Sequence, residues 1–200
     1  MTCKLLRLSA IALSLVLTLA LSACSGLQTR QLQSTRIFSP NAELEQWQLR
    51  GKIGLKTRDS ADSAYLNWLQ CGDRYEIRIN GPLGAGAAKL VGDSHRVTLY
   101  QGDREPVSAA SAATLLQQQL GWTLPVTQLS YWIRGIPSPH RSVHGTELGF
   151  EQSGWTLTFP SQAQVDNHYL PARAIARRDD IKVTLIFQQW QLQPDCGTAL

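Results

Sequence analysis

Trp47-Gln48-Leu49-Arg50-Gly51-Lys52-Ile53-Gly54-Leu55-Lys56 alternates between two characters. Trp47, Leu49, Ile53 and Leu55 are apolar, and Gln48, Arg50, Lys52 and Lys56 between them are polar. Successive side chains of a strand point to opposite faces, so a period of two predicts a strand with one greasy and one wet side. The same period returns downstream. Ala64, Leu66 and Trp68 line one side of a second strand, with Tyr65, Asn67 and Leu69 on the other. Gly72-Asp73 is a hairpin signal, and Tyr75, Ile77 and Ile79 then alternate with Glu76, Arg78 and Asn80. Two more short strands, 87–91 and 96–100, are bounded by turns at Gly92-Asp93 and Gly102-Asp103. Short strands joined by short turns predict an antiparallel meander.

Outward from this core the period changes. Upstream, Asn41-Ala42-Glu43-Leu44-Glu45 predicts a short helical turn capped by Asn41. Downstream, Ser108 is the expected N-cap of a helix ending near Gly121, with Ala109, Ala112, Ala113, Leu116 and Leu120 as its apolar stripe. Pro125 suits the first turn of a second helix, whose buried side is Val126, Leu129 and Ile133, and which Gly135 and Pro137 stop. After a loop rich in proline and histidine, strands are expected at 147–152 and 155–159 around Ser153-Gly154. A loop through Pro171 leads to a strand at 173–178 and a turn at Asp179-Asp180. The last strand sets Ile181, Val183, Leu185 and Phe187 against Lys182, Thr184, Ile186 and Gln188. About nine to eleven strands with two or three helices predict a mainly β, single-domain fold. Its sheet is strongly curved, with the helices' apolar faces buried on the concave side.

The N-terminus carries a different signal. Lys4 and Arg7 precede an apolar run of about 14 residues, 8–21, and then Leu21-Ser22-Ala23-Cys24. A basic head, a short apolar core and small residues at a cut site describe an export signal. The run is shorter than the ~20 residues a spanning helix needs. Leu-Ser-Ala-Cys resembles the lipobox of bacterial lipoproteins. That resemblance implies cleavage after Ala23, a lipid on Cys24 and, with Ser25 rather than aspartate next, the outer membrane. Acyl chains at ~0.8 kcal/mol per buried CH₂ make such an anchor effectively permanent. Residues 1–23 are thus read as a cleaved signal, 24–40 as a lipidated tether and 41–200 as the folded domain.

Without Lys4 and Arg7 the chain keeps seventeen bases against fifteen acids, a net charge near +2. No run of bases of the kind nucleic-acid binding needs is present. Cys3 falls in the signal and Cys24 carries the lipid, which leaves Cys71 and Cys196. An oxidising periplasm permits a bridge between them; the sequence leaves it open.

Candidate chemistry is sparse. Gly81-Pro82-Leu83-Gly84-Ala85-Gly86 is glycine-rich, but a phosphate cradle needs a following helix, and Gly92 comes too soon for one. In that loop Leu83 has little beside it to pack against. It either folds back on its own sheet or meets a membrane. His140 and His144 have helical metal-site spacing, yet Pro137, Pro139 and Gly145 around them argue for a solvated loop. No Gly-x-Ser-x-Gly elbow occurs, and no metal or cofactor is expected. Six tryptophans are many for this length, and core packing accounts for most of them.

Several longer stretches carry a resemblance. They are Trp47-Gln-Leu-Arg-Gly-Lys-Ile-Gly-Leu55; Gly72-Asp-Arg-Tyr75 leading to Gly81-Pro-Leu-Gly84; Gly121-Trp-Thr-Leu-Pro-Val126; and Tyr131-Trp-Ile-Arg-Gly-Ile-Pro137. In order and spacing the chain resembles the LolB family of outer-membrane lipoprotein receptors. The resemblance implies an unclosed antiparallel β-barrel with helices covering an apolar cavity. It also implies a non-enzymatic monomer that takes lipoproteins from the periplasmic carrier LolA and inserts them into the inner leaflet of the outer membrane. The family's protruding loop leucine matches Leu83, within Pro82-Leu83-Gly84, and is assigned to the membrane step. The Cys71/Cys196 pair is not a recognised family feature. The cavity wall and lid are expected from Leu49, Ile53, Trp68, Ile77, Leu116, Trp132, Val183 and Leu185. The competing reading is an envelope hydrolase or cell-wall-binding lipoprotein, which would need a convergent polar site in place of an apolar cavity.

Overall fold

Period-two alternation extends over more of the chain than the motifs alone indicate. The computed structural model describes residues 39–81, 86–120 and 125–197. A 3₁₀ turn, Ser39–Glu43, opens the described chain. Eleven strands follow, beginning with β1 (Gln46–Lys56), β2 (Ala61–Cys71), β3 (Arg74–Asn80), β4 (Ala88–Gly92), β5 (Val97–Gln101) and β6 (Val107–Ala109). Two helices come next, α1 (Ala112–Leu120) and α2 (Val126–Trp132). The second set of strands is β7 (Val143–Thr146), β8 (Gly149–Gln152), β9 (Trp155–Val165), β10 (His168–Arg178) and β11 (Ile181–Leu192). They form one antiparallel sheet in the order β6-β5-β4-β3-β2-β1-β11-β10-β9-β8-β7, open between β6 and β7. The fold is therefore an unclosed half-barrel, with the helices in the connection between its two free edges.

Register puts the apolar phases of β1–β5 and β8–β11 on one face. Leu49 faces Trp68 and Trp190, Ile53 faces Ala64 and Leu185, and Leu55 faces Val183. The row continues through Ile77, Leu90 and Leu99 in one direction, and through Ala174 and Ala176 to Leu157 and Phe150 in the other. One irregularity keeps the long last strand in phase. The pairing of β1 with β11 shifts between Arg50 and Gly51, so Gln188 is skipped. Beyond that bulge Trp190 and Leu192 return to the inner face, where Trp190 meets Trp47 at 5.6 Å and Phe187 at 5.5 Å. The partner backbone comes so close at Gly51 that a Cβ there would collide with the Ile186 carbonyl.

Several expectations are corrected. Asn41 is not a helix cap. It is fully buried, and its Nδ2 donates to the carbonyls of Arg134 (2.8 Å) and Tyr169 (2.9 Å). Ser108 lies in β6, and the cap of α1 is Ser111, whose Oγ accepts from the Thr114 amide at 3.1 Å. The segment read as a loop through Pro171 is a hairpin: β9 continues to Val165 and β10 starts at His168. Prolines tolerated there coincide with register shifts near Pro171 and Arg173, where ladder hydrogen bonds are already interrupted. The histidine-rich loop contains the edge strand β7, exposed along its whole length. Its lack of a buried face leaves no alternation to detect.

Cys71 and Cys196, 125 positions apart in the sequence, are joined in a disulfide with Cα atoms 6.0 Å apart. The bridge ties the end of β2 to the C-terminal tail. The hydrophobic core is otherwise continuous across the inner face, with Trp47, Trp68, Trp132 and Trp155 all buried.

Candidate functional site: an apolar cavity beneath the helices

The site begins with the spacing of the two helices. On α1, Ala112, Leu115, Leu116 and Gln119 fall at helical intervals, and Leu115 is fully buried. On α2, Val126, Leu129 and Trp132 are the buried residues. These faces close over the inner side of the sheet without filling it. A cavity of about 310 Å³ remains, walled by Ile53 and Leu55 of β1, Leu66 and Trp68 of β2, Ile77 and Ile79 of β3, Leu90 of β4, Leu99 of β5, and Val183 and Leu185 of β11. Leu116, Val126 and Leu129 form its roof. The polar lining residues are Asp62, Ser63, Gln101 and Gln119, with Gly86 beside them. Asp62 is paired with Leu55, and Gln101 with Ala88, at the same end of the sheet, so the polar strand residues collect at one rim.

The opposite end is sealed by rings. Trp47 and Trp68 lie 5.5 Å apart, and Trp68 and Tyr75 6.5 Å. The Trp68 indole donates to Gln70 Oε1 at 3.0 Å, and Gln70 in turn donates to the Gly72 carbonyl. Burial, with the Asp93 carboxylate nearby, pushes the Tyr75 phenol up to about 12.

Of the eight residues expected on the wall, Ile53, Trp68, Ile77, Leu116, Val183 and Leu185 lie on the cavity lining. Leu49 and Trp132 do not. Leu49 is fully buried between Trp68 and Trp190 in the register. Trp132 donates its indole N–H to Gln152 Oε1 at 2.8 Å and faces Trp155 at 6.2 Å, in the solid part of the core. Among the strand residues not singled out in advance, Leu55, Leu66, Ile79, Leu90 and Leu99 share the phase of those that were. Simply extending the alternation would have found them. Cys24 and Pro82-Leu83-Gly84 lie outside the described residues.

Other buried polar groups serve structure. Gln152 also accepts from the Ser138 amide and donates to its carbonyl. The Arg134 guanidinium is buried at the end of α2. It donates through Nε to the Ser130 carbonyl (3.0 Å), and through Nη1 to those of Asn41 (3.0 Å) and Leu44 (2.6 Å). Desolvation holds its pKa below the usual arginine range. This knot pins the C-terminal end of α2 to the opening 3₁₀ turn. Among the described residues, no three His, Cys, Asp or Glu side chains gather as metal ligands do. His140 and His144 are both exposed.

A curved open sheet roofed by two helices over a mostly apolar hollow defines the class of fold. Its fold is that of a LolA superfamily protein from Nitrosomonas europaea, which superposes with a TM-score of 0.52 over 82% of this chain and 94% of that one, at 9% identity. Sequence comparison is narrower. The family model described as Outer membrane lipoprotein LolB matches residues 45–190. The outer-membrane lipoprotein LolB of Pseudomonas fluorescens is 40% identical over 153 residues, covering 74% of this chain and 75% of the relative. That of Chromohalobacter salexigens is 34% identical over 205 aligned positions, covering 96% of this chain and 95% of the relative. The chain belongs to the LolB family of outer-membrane lipoproteins.

Proposed function

We propose that this protein is the acceptor that receives lipoproteins from a LolA-type periplasmic carrier and delivers them to the outer membrane. The observation that carries this reading is the apolar cavity beneath α1 and α2 in a chain of the LolB family. Cys24, freed by cleavage after Ala23, carries the lipid that holds the protein on the periplasmic face of the outer membrane. Residues 24–40 tether the folded domain.

Cargo acyl chains leave the carrier's pocket and enter the cavity walled by residues such as Ile53, Ile77 and Leu185. Exposing them to water would cost ~0.8 kcal/mol per CH₂. Exchange between two apolar pockets avoids that cost, so a small difference in affinity sets the direction and no nucleotide is consumed. About 310 Å³ lies at the lower end of the ~300–1,000 Å³ typical of ligand pockets. A cargo with several chains needs more room. The widening falls to the α1 side, because Arg134 ties the end of α2 to the 3₁₀ turn. Leu83 then contacts the bilayer during release.

Depletion of the protein is expected to strand other lipoproteins in the periplasm or inner membrane. Normal sorting after depletion would refute the proposal. Leu83→Glu is expected to spare acceptance from the carrier and impair insertion. Unchanged insertion would remove that role from Leu83.

A further inference from the structure

Bases that are scattered in the sequence are gathered by the sheet. The phase opposite the cavity forms the outer face, and there the register sets like charges directly across from each other. Arg78 faces Lys89, Lys56 faces Lys182, and Lys182 faces Arg177. Directly opposed like charges destabilise a sheet. Across β1–β5, β10 and β11, Glu76 is the one acid on this face, and it is paired with Arg78 at 2.7 Å.

Aromatic rings are interleaved with these bases. The Lys52 ammonium lies 5.3 Å from the centre of the Tyr65 ring, and Lys89 lies 4.7 Å from that of Tyr100. Both rings are exposed, Tyr65 at 53% and Tyr100 at 39%. A shallow groove of about 320 Å³ runs between Arg78, Asn80, Lys89 and Tyr100, floored by Ala87 and Ala88. It borders Gly81 and Gly86, the described residues that flank 82–85.

We propose that this outer-face patch docks on the anionic phosphate surface of a phospholipid leaflet. The charge complementarity is direct: lipid phosphates meet Lys52, Lys89 and the opposed Lys56, Lys182 and Arg177, while Arg78 is already balanced by Glu76. Tyrosine with flanking lysine is also the side-chain pair that settles at a bilayer's headgroup level, apolar body inward and polar tip wet. The patch therefore fixes which side of the half-barrel lies on the membrane, with the ends of β3 and β4 at Asn80 and Ala88 on that side. This rests on the membrane step proposed above.

The test uses the full lipidated chain, reconstituted in vesicles of phosphatidylcholine alone or mixed with phosphatidylglycerol, and footprinted with hydroxyl radicals. Tyr65 and Tyr100 are expected to be oxidised severalfold less on the anionic vesicles, with the protection lost at high salt. Tyr169, exposed at the far end of β10, is expected to be equally labelled on both and serves as the internal reference. Lys52→Gln or Lys89→Gln is expected to shift docking about fivefold, and the double variant to abolish the difference. Equal labelling of Tyr65 and Tyr100 on the two vesicles overturns the proposal. So does protection that needs the carrier protein rather than anionic lipid, which would make the patch a protein-docking surface. Cargo acceptance from the carrier, measured on the same samples, separates the two readings. Acceptance without protection sinks only the patch, whereas loss of acceptance in the unaltered protein sinks the functional reading.

Discussion

The inner face of the sheet divides into two halves that obey the same alternation and end differently. On the β1–β5 side, with β11, the inward residues line a hollow. On the β8–β10 side they interlock with α2. Trp132 meets Trp155, Phe150 meets Phe159 at 5.7 Å, and Leu157 and Leu170 are buried. What differs is the match between sheet and roof. There α2 sets Trp132 against Trp155, and β10 carries the small Ala174 and Ala176, both buried. Where α1 presents Leu116 and Gln119 to aliphatic strands, the described side chains leave a hollow between them. Solid packing on one side supplies the stability that lets the other side stay empty.

The largest expected effect tests the filled half. Trp132→Ala should cost about 3–5 kcal/mol, as large buried aromatics do, and it should also leave Gln152 Oε1 with one donor fewer. Denaturant unfolding reads the loss. A cost below 1 kcal/mol would show that this half does not carry the fold.

Next comes the covalent tie at the cavity half. Cys196→Ser, which unties positions 125 apart in the sequence, should lower stability by about 2–4 kcal/mol with little change in cargo acceptance. An unchanged denaturation midpoint would contradict it.

An alkaline titration reads the ring-sealed end of the cavity. The Tyr75 phenol has a folded-state pKa of about 12 against 10 when unfolded, because burial and Asp93 favour the neutral form. Its contribution is complete below pH 10 and is lost as pH rises through 12. At about 1.4 kcal/mol per unit this amounts to roughly 2–3 kcal/mol. Tyr75→Phe should flatten that part of the stability profile. A profile identical to the unaltered protein's would remove Tyr75 as its cause.

How much of this was legible beforehand depends on what a period can encode. The alternation in β1 and β11 determined which side chains share a face, and six of the eight expected wall residues line the hollow. Alternation says nothing of depth. Leu49 and Trp132 have the right phase, but rings from strands distant in sequence fill the space beside them. Strand β7 escaped notice because both its faces are wet. The β9–β10 hairpin was hidden by Pro160 and Pro171, residues that punctuate most sheets and are accommodated here by bulges. The cationic outer face was hidden too, because register alone brings Arg78 opposite Lys89.

The smallest effect separates the halves at matched sites. Ala64 and Ala176 are both small inward residues, but Ala64 lines the cavity and Ala176 is buried in the solid core. Ala176→Phe should cost about 1–3 kcal/mol by overpacking. Ala64→Phe should change stability by less than about 1 kcal/mol while blocking uptake of cargo. Equal costs would erase the distinction between full and empty.

Photo-crosslinking puts the central claim to its most direct test. A benzophenone side chain is placed at Leu116, over the hollow, or at Leu157, in the solid half, and the protein is loaded from the carrier with a lipoprotein bearing radiolabelled acyl chains. Acyl-chain adducts are expected at position 116 and none above background at 157. Equal adducts at both, or none at 116 after confirmed loading, would contradict it.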